Sequence, residues 1–235
     1  MTDLYRLDSV QIGATDVDDA SAAYALLLGV APTRSPSGAQ RFQLERGAVE
    51  VEQGDPGVHS IRFVGESART TWPHEGEAFH GLRVLLSAAS PTPAPLTVAA
   101  DGVAAIDHVV VRTSAPDRAI VLWRDRLGLR LALDRIFPER GLRLLFFRSG
   151  GMTLEFASGH PAPAPPAVPE EPDVFYGVSY RVPSLEACRE RLGRAGLDVS
   201  TVRPGMRRGT SVLTVRSGTA GVPTLLLQEH ERAPT

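Results

Sequence analysis

The chain carries an imperfect copy of itself, and this repeat restricts its fold more than any other property of the sequence. Leu7-Asp8-Ser9-Val10-Gln11-Ile12 lies over Ile106-Asp107-His108-Val109-Val110-Val111 at a shift of 99 residues. The register holds without gaps, with Ala20 falling on Ala119, Leu28 on Leu127 and Gly29 on Gly128. A unit this small leaves an apolar face that only another copy can cover, so fixed-spacing self-similarity predicts paired supersecondary units.

The copy over 106–157 shows the unit most clearly. Ile106 to Arg112 is rich in β-branched residues and reads as a strand. Ser114 then offers an N-cap with Asp117 three residues on, and Ile120, Trp123 and Leu127 recur at the spacing of a buried helical face. Gly128 ends that helix. Strands follow at Leu129–Leu133, Leu142–Arg148 and Met152–Ala157, parted by turns at Pro138–Gly141 and Ser149–Gly151. The unit is therefore βαβββ. It returns over Val174–Glu229, with a helix capped by Ser184 and stopped by Gly196. In the first copy Asp16, Asp18 and Asp19 are acids that favour a helix start.

Residues 58–100 read as a damaged copy. His59–Phe63 is its first strand, His80–Leu86 echoes Leu127–Leu133, its last strands are lost, and Ser90–Pro95 forms a joint. The proline-rich run His160–Pro172 links the third and fourth units and reads as a stiff strap or as a lid folded over a cavity. The reading is an α+β chain of tandem βαβββ units, paired into curved, cup-shaped mixed sheets with helices outside. It divides into an N-terminal half, 1–100, with one intact and one degenerate unit, and a C-terminal half, 104–235, with two.

A net charge of −2 and a pI near 6.3 leave no basic surplus for neutralising phosphates, which argues against nucleic acid. No apolar run reaches the ~20 residues that span a bilayer, and the N-terminus lacks the pattern of a signal peptide. The expectation is a cytoplasmic protein without a membrane partner. Cys188 sits at helical spacing from Leu185 and Leu192, as a small core residue does. A homodimer is expected if the shortened second unit leaves a sheet edge in need of cover.

Strand alternation separates the side chains by face. Asp107, Val109 and Val111 share one face and Ile106, His108 and Val110 the other, while Met152, Leu154 and Phe156 oppose Thr153 and Glu155. With helices over the Leu154 face, Glu155 points into the hollow, where a carboxylate needs a partner or a cation. His108 is the candidate companion. Imidazole nitrogen with carboxylate oxygen is a partial ligand set for zinc, iron, manganese or nickel.

Three stretches, Ile106 to Val111, Arg124-Asp125-Arg126-Leu127-Gly128-Leu129 and Gly151-Met152-Thr153-Leu154-Glu155-Phe156, resemble the vicinal oxygen chelate superfamily. That superfamily includes glyoxalase I, extradiol ring-cleaving dioxygenases, and bleomycin- and fosfomycin-resistance proteins. The resemblance covers residues 4–54 and 104–230 well and 57–90 weakly. It implies metal ligands on the first and fourth strands of each unit, places held by His108 and Glu155 in the third. In the fourth unit Gly177 stands at the first-strand place, and Gln228 or Glu229 at the other, depending on register. The N-terminal half offers Ser9, Glu50 or Glu52, and His59.

The resemblance implies a divalent-metal enzyme on a small oxygenated substrate, a lyase, isomerase or ring-cleaving dioxygenase. His108, Glu155 and either Gln228 or Glu229 would hold the ion, and Glu155 or Glu229 would shuttle the proton. The alternative is a metal-free protein that sequesters a small molecule, as bleomycin-resistance proteins do, and the vacancy at Gly177 favours it. A scaffold with closed cups is the third expectation.

Overall fold

The computed structural model of the chain describes residues 5–35, 37–65, 79–88, 98–160 and 171–230. His74, the loop at Ser90–Pro95 and most of the proline-rich strap lie outside the described residues. The first copy runs β1 (Tyr5–Ala14), α1 (Val17–Leu28), β2 (Thr33–Arg34), β3 (Gln40–Gln43) and β4 (Ala48–Gln53), and the second gives β5 (Gly57–Gly65) and β6 (Val84–Ala88). The third runs β7 (Ala105–Arg112), α2 (Pro116–Ile120) continued by a π-helical stretch Val121–Arg126, β8 (Arg130–Phe137), β9 (Leu142–Ser149) and β10 (Met152–Gly159). The fourth comprises β11 (Val174–Arg181), α3 (Leu185–Arg194), β12 (Arg203–Pro204), β13 (Thr210–Val215) and β14 (Thr224–Glu229).

These strands build two mixed sheets, one in the order β2-β3-β4-β1-β5-β6 and one in the order β12-β13-β14-β11-β7-β10-β9-β8. Three copies share one pairing rule. The first strand runs parallel to the last, in β1 with β4, β7 with β10 and β11 with β14, and the last runs antiparallel to the strand before it. The α+β class and the tandem unit follow directly. No helix among the described residues is long and apolar enough to cross a membrane.

The second copy departs from the expectation drawn for it. β6 pairs in parallel with β5, with Ile61 opposite Val84, and so holds the place that the last strand holds in the other copies. The echo of Leu127–Leu133 pointed to a second strand instead. Local sequence likeness cannot tell which strand a segment joins, because the partner is remote in the chain.

The third copy's helix also starts differently. Ala115 is its N-cap and makes no side-chain capping bond, while Pro116 occupies the first turn, where its missing N–H is no loss. Ser114 donates instead to the Glu171 carbonyl, and Asp117 pairs with Arg143. The other helix starts agree with the sequence. Asp16 accepts from the Asp19 N–H and Ser184 from the Ala187 N–H. Gly29 and Gly128, one repeat apart, both adopt left-handed φ, 72° and 75°.

The chain forms two compact units, one of described residues within 1–8, 59–92 and 108–176, the other of those within 9–58, 93–107 and 177–235. Each unit draws on both the 1–100 and 104–235 stretches, whereas each sheet draws on one. In the first unit Trp123 is fully buried, its ring 5.6–6.1 Å from those of Phe63, Phe79 and Phe156, and Phe147 meets Phe156 edge-on. In the second, Tyr24 is buried near Phe42 and donates to the Thr219 carbonyl. There Arg191 donates to the carbonyls of Leu26 and Leu27 at the end of α1, where a cation complements the helix dipole, and to that of Asp101.

Candidate functional site

The site is built on β7, β9 and β10 of the first unit. Apolar side chains on one face, Val109, Val111, Leu145, Phe147, Leu154 and Phe156, are fully or almost fully buried, and Trp123 from the helix packs against Phe156. Removing that much apolar surface from water fixes which way each strand faces. The opposite face then receives His108, Val110, Thr153 and Glu155, because Thr153 pairs with His108 and Glu155 with Val110. On β9 the same face carries Leu144, Phe146 and Arg148, the partners of Ala157, Glu155 and Thr153.

His108 and Glu155 meet on this face. The imidazole Nε2 lies 3.7 Å from the Glu155 carboxylate, and the side chains are 17% and 19% exposed. Arg148 Nη1 donates to Thr153 Oγ1 at 2.8 Å.

The pairing registers identify the equivalent positions elsewhere. Glu155 lies opposite Val110, two residues past His108. In the first copy the residue opposite Gln11, two past Ser9, is Glu50. This resolves Glu50 against Glu52. Gln11 Nε2 donates to Ser9 Oγ at 2.8 Å and to Glu50 Oε2 at 3.1 Å, and Arg41 Nη1 donates to Glu50 Oε1 at 2.6 Å. Ser9, Gln11 and Glu50 are all buried. The first copy has thus turned the two ligand places into a hydrogen-bonded core network, which offsets the cost of burying a carboxylate.

In the fourth copy the residue opposite Ser179, two past Gly177, is Leu225, so neither Gln228 nor Glu229 takes the ligand place. The register is set by Pro223, whose carbonyl accepts from the Val178 N–H at 3.0 Å. Gln228 faces α3 and its Oε1 accepts from the Leu185 N–H at 2.9 Å. Glu229, at the end of β14, is held by Arg207 and lies 3.3 Å from Arg181, which also pairs with Asp107. Arg207 holds its carboxyl below the usual range, with Arg181 adding to the effect. A Cβ on Gly177 would lie 2.5 Å from the Pro223 carbonyl oxygen, so backbone fills the space a ligand side chain would need.

The remaining histidines lie apart from this pattern. His59 is the third residue of β5, His80 has a left-handed φ of 53°, the His160 N–H donates to the Gly141 carbonyl, and His230 contacts Ser211. Among the described residues no group of three or more His, Cys, Asp or Glu side chains is placed to hold a metal ion. His108 and Glu155 supply two donors, where a retained divalent ion takes three or four. The residues described do not by themselves fit a resident divalent ion.

Sequence reasoning overlooked Arg148. The alternation in Leu144-Leu145-Phe146-Phe147-Arg148 held the signal, since it puts a cation on the face of His108.

Residues 107–214 match the sequence profile of the Glyoxalase/Bleomycin resistance protein/Dioxygenase superfamily. No curated protein matches the chain. Among solved structures, it is similar to the Mn(II)-bound glyoxalase from Novosphingobium aromaticivorans, with a TM-score of 0.74, 16% identity, and coverage of 98% of this chain and 84% of that one. A mutant 4-hydroxymandelate synthase from Streptomyces coelicolor gives a TM-score of 0.70 at 14% identity, covering 98% and 94%. A halotolerant catechol dioxygenase gives 0.69 at 12%, covering 95% and 86%. At such identities the likeness carries the fold.

Proposed function

We propose that the chain, whose residues 107–214 match the glyoxalase, bleomycin resistance protein and dioxygenase superfamily, handles a small oxygenated molecule on the half-buried face of β7, β9 and β10. His108 and Glu155 are its working pair. The supporting observation is their 3.7 Å approach on a half-buried face, while the first copy has locked its equivalent places and the fourth has closed them. A carboxylate beside an imidazole keeps the ring oriented, and the pair can move a proton to or from a carbon next to a carbonyl. Lyases and isomerases that pass through an enolate need that step.

A bound divalent ion would polarise neighbouring substrate oxygens. Elemental analysis of protein purified without chelator tests for one, and the two-donor set predicts well below one transition metal per chain. Near-stoichiometric metal that His108→Ala loses would replace this reading with a metal-dependent lyase, isomerase or ring-cleaving dioxygenase.

Proton transfer is tested by NMR detection of solvent deuterium entering a panel of 2-oxo acids and 1,2-dicarbonyl compounds. At least one should exchange, and Glu155→Gln and His108→Ala should each slow it about 100-fold or more. The strip Val110, Leu144 and Phe146 on the same face favours a second reading, sequestration without turnover. Ligand-induced thermal shifts with no exchange in any compound would select it.

A further inference from the structure

On the face that carries His108 and Glu155, one row crosses four strands. Arg130 of β8 lies opposite Arg148 of β9, Arg148 opposite Thr153 of β10, and Thr153 opposite His108 of β7. Two like charges directly across adjacent strands destabilise the pair. Three other arginines near these strands come with acids, Arg143 with Asp134 and Asp117, Arg118 with Asp173, and Arg124 with Asp125, while Arg135 of β8 and Arg112 of β7 stack on the rings of Phe137 and Tyr176. Among the described residues neither Arg148 nor the exposed Arg130 has an acidic partner, and the one side-chain hydrogen bond that either makes runs from Arg148 to Thr153. That bond aims the Arg148 guanidinium along the face toward β10.

We infer that Arg148, assisted by Arg130, anchors an oxyanion, a carboxylate or phosphate group, on the molecule that His108 and Glu155 work on. The inference rests on the function proposed above for the location of the reacting end. A guanidinium offers a planar fork to two oxygens of one anion, and an anion between the two arginines relieves their repulsion. Two strand spacings put the Arg148 and His108 backbones about 10 Å apart. Side chains reaching inward from both leave room for a short carbon chain, and Phe146 and Val110 beside them supply apolar contact. The substrate class is a small oxygenated acid.

Isothermal titration of the full chain at low ionic strength, with pyruvate, inorganic phosphate and uncharged pyruvamide, tests this. One anion should bind saturably, and pyruvamide at least tenfold more weakly. Which anion responds assigns the source as carboxylate or phosphate. Arg148→Gln should weaken the anion at least tenfold, Arg130→Gln a few-fold, and Arg148→Lys, which keeps charge without the fork, should fall between. Circular dichroism confirms that each variant is folded. His108→Ala should keep anion affinity within threefold while losing deuterium exchange. Saturable anion binding that needs Arg148, with no exchange in the wild type, would discard the proton-transfer role and keep the anchor. No saturable binding of either anion, equal affinity for pyruvamide, or unchanged affinity in folded Arg148→Gln would overturn the anchor.

Discussion

Gly177 shows how one missing side chain closes a site. Its α-carbon faces the Pro223 carbonyl so closely that even a methyl group must push the backbone aside. Gly177→Ala is therefore expected to lower stability by about 1–3 kcal/mol in urea unfolding, as overpacking does. Cys188, buried under Asp101 and Gly102, is the reverse case of a reactive group made inert. Desolvation pushes its thiol up to about 11, so an aromatic disulfide reagent should label it slowly in the native protein and quickly in denaturant. The faces of His108 and Glu155 were legible from alternation, because period two is a property of the strand alone. Leu225 was not, since its equivalence to Glu155 depends on where Pro223 meets β11.

At the scale of elements, Gln228 has a different task from the ligand place that the family resemblance offered it. Its carbonyl oxygen caps the first turn of α3, next to the Ser184 cap, so Gln228→Ala should cost about 1 kcal/mol without changing metal content. Thermal or chemical unfolding with elemental analysis checks both parts. The α2 region shows the limits of periodicity. Ile120, Trp123 and Leu127 do face the core, yet a π-helical stretch follows α2 and leaves Val121 exposed. The apolar spacing gave the buried stripe, while the hydrogen-bond pattern that accommodates Trp123 among three phenylalanines was set by packing.

Across the whole molecule, the charges pull stability in opposite directions with pH. Asp173 is almost fully buried and paired with Arg118. Desolvation raises its pKa, against the lowering effects of Thr113 and Arg118. A carboxyl with a raised folded-state value binds its proton more tightly folded than unfolded. Its contribution favours the fold at low pH and is lost as pH rises through that raised value. Asp134, held low by Arg143, and Glu229, held low by Arg207, behave oppositely and lose stability on acidification. Subtracting the Asp173→Asn pH profile from that of the wild type should leave a component that declines with rising pH above the ordinary aspartate range. A difference that rises instead would show the Arg118 attraction outweighing burial.

By itself the sequence determined the repeat, the βαβββ order within its intact copies, the glycine-ended helices and the shared face of His108 and Glu155. Each of these rests on spacings within a few residues, where backbone geometry ties position to direction. Only the tertiary structure decided that β6 takes a last-strand place, that β14 presents Leu225 where an acid was expected, that compact units cut across the sheets, and that Arg130 meets Arg148. Those outcomes depend on which remote strands pair and in what register, and a one-residue slip exchanges the faces without altering the local pattern.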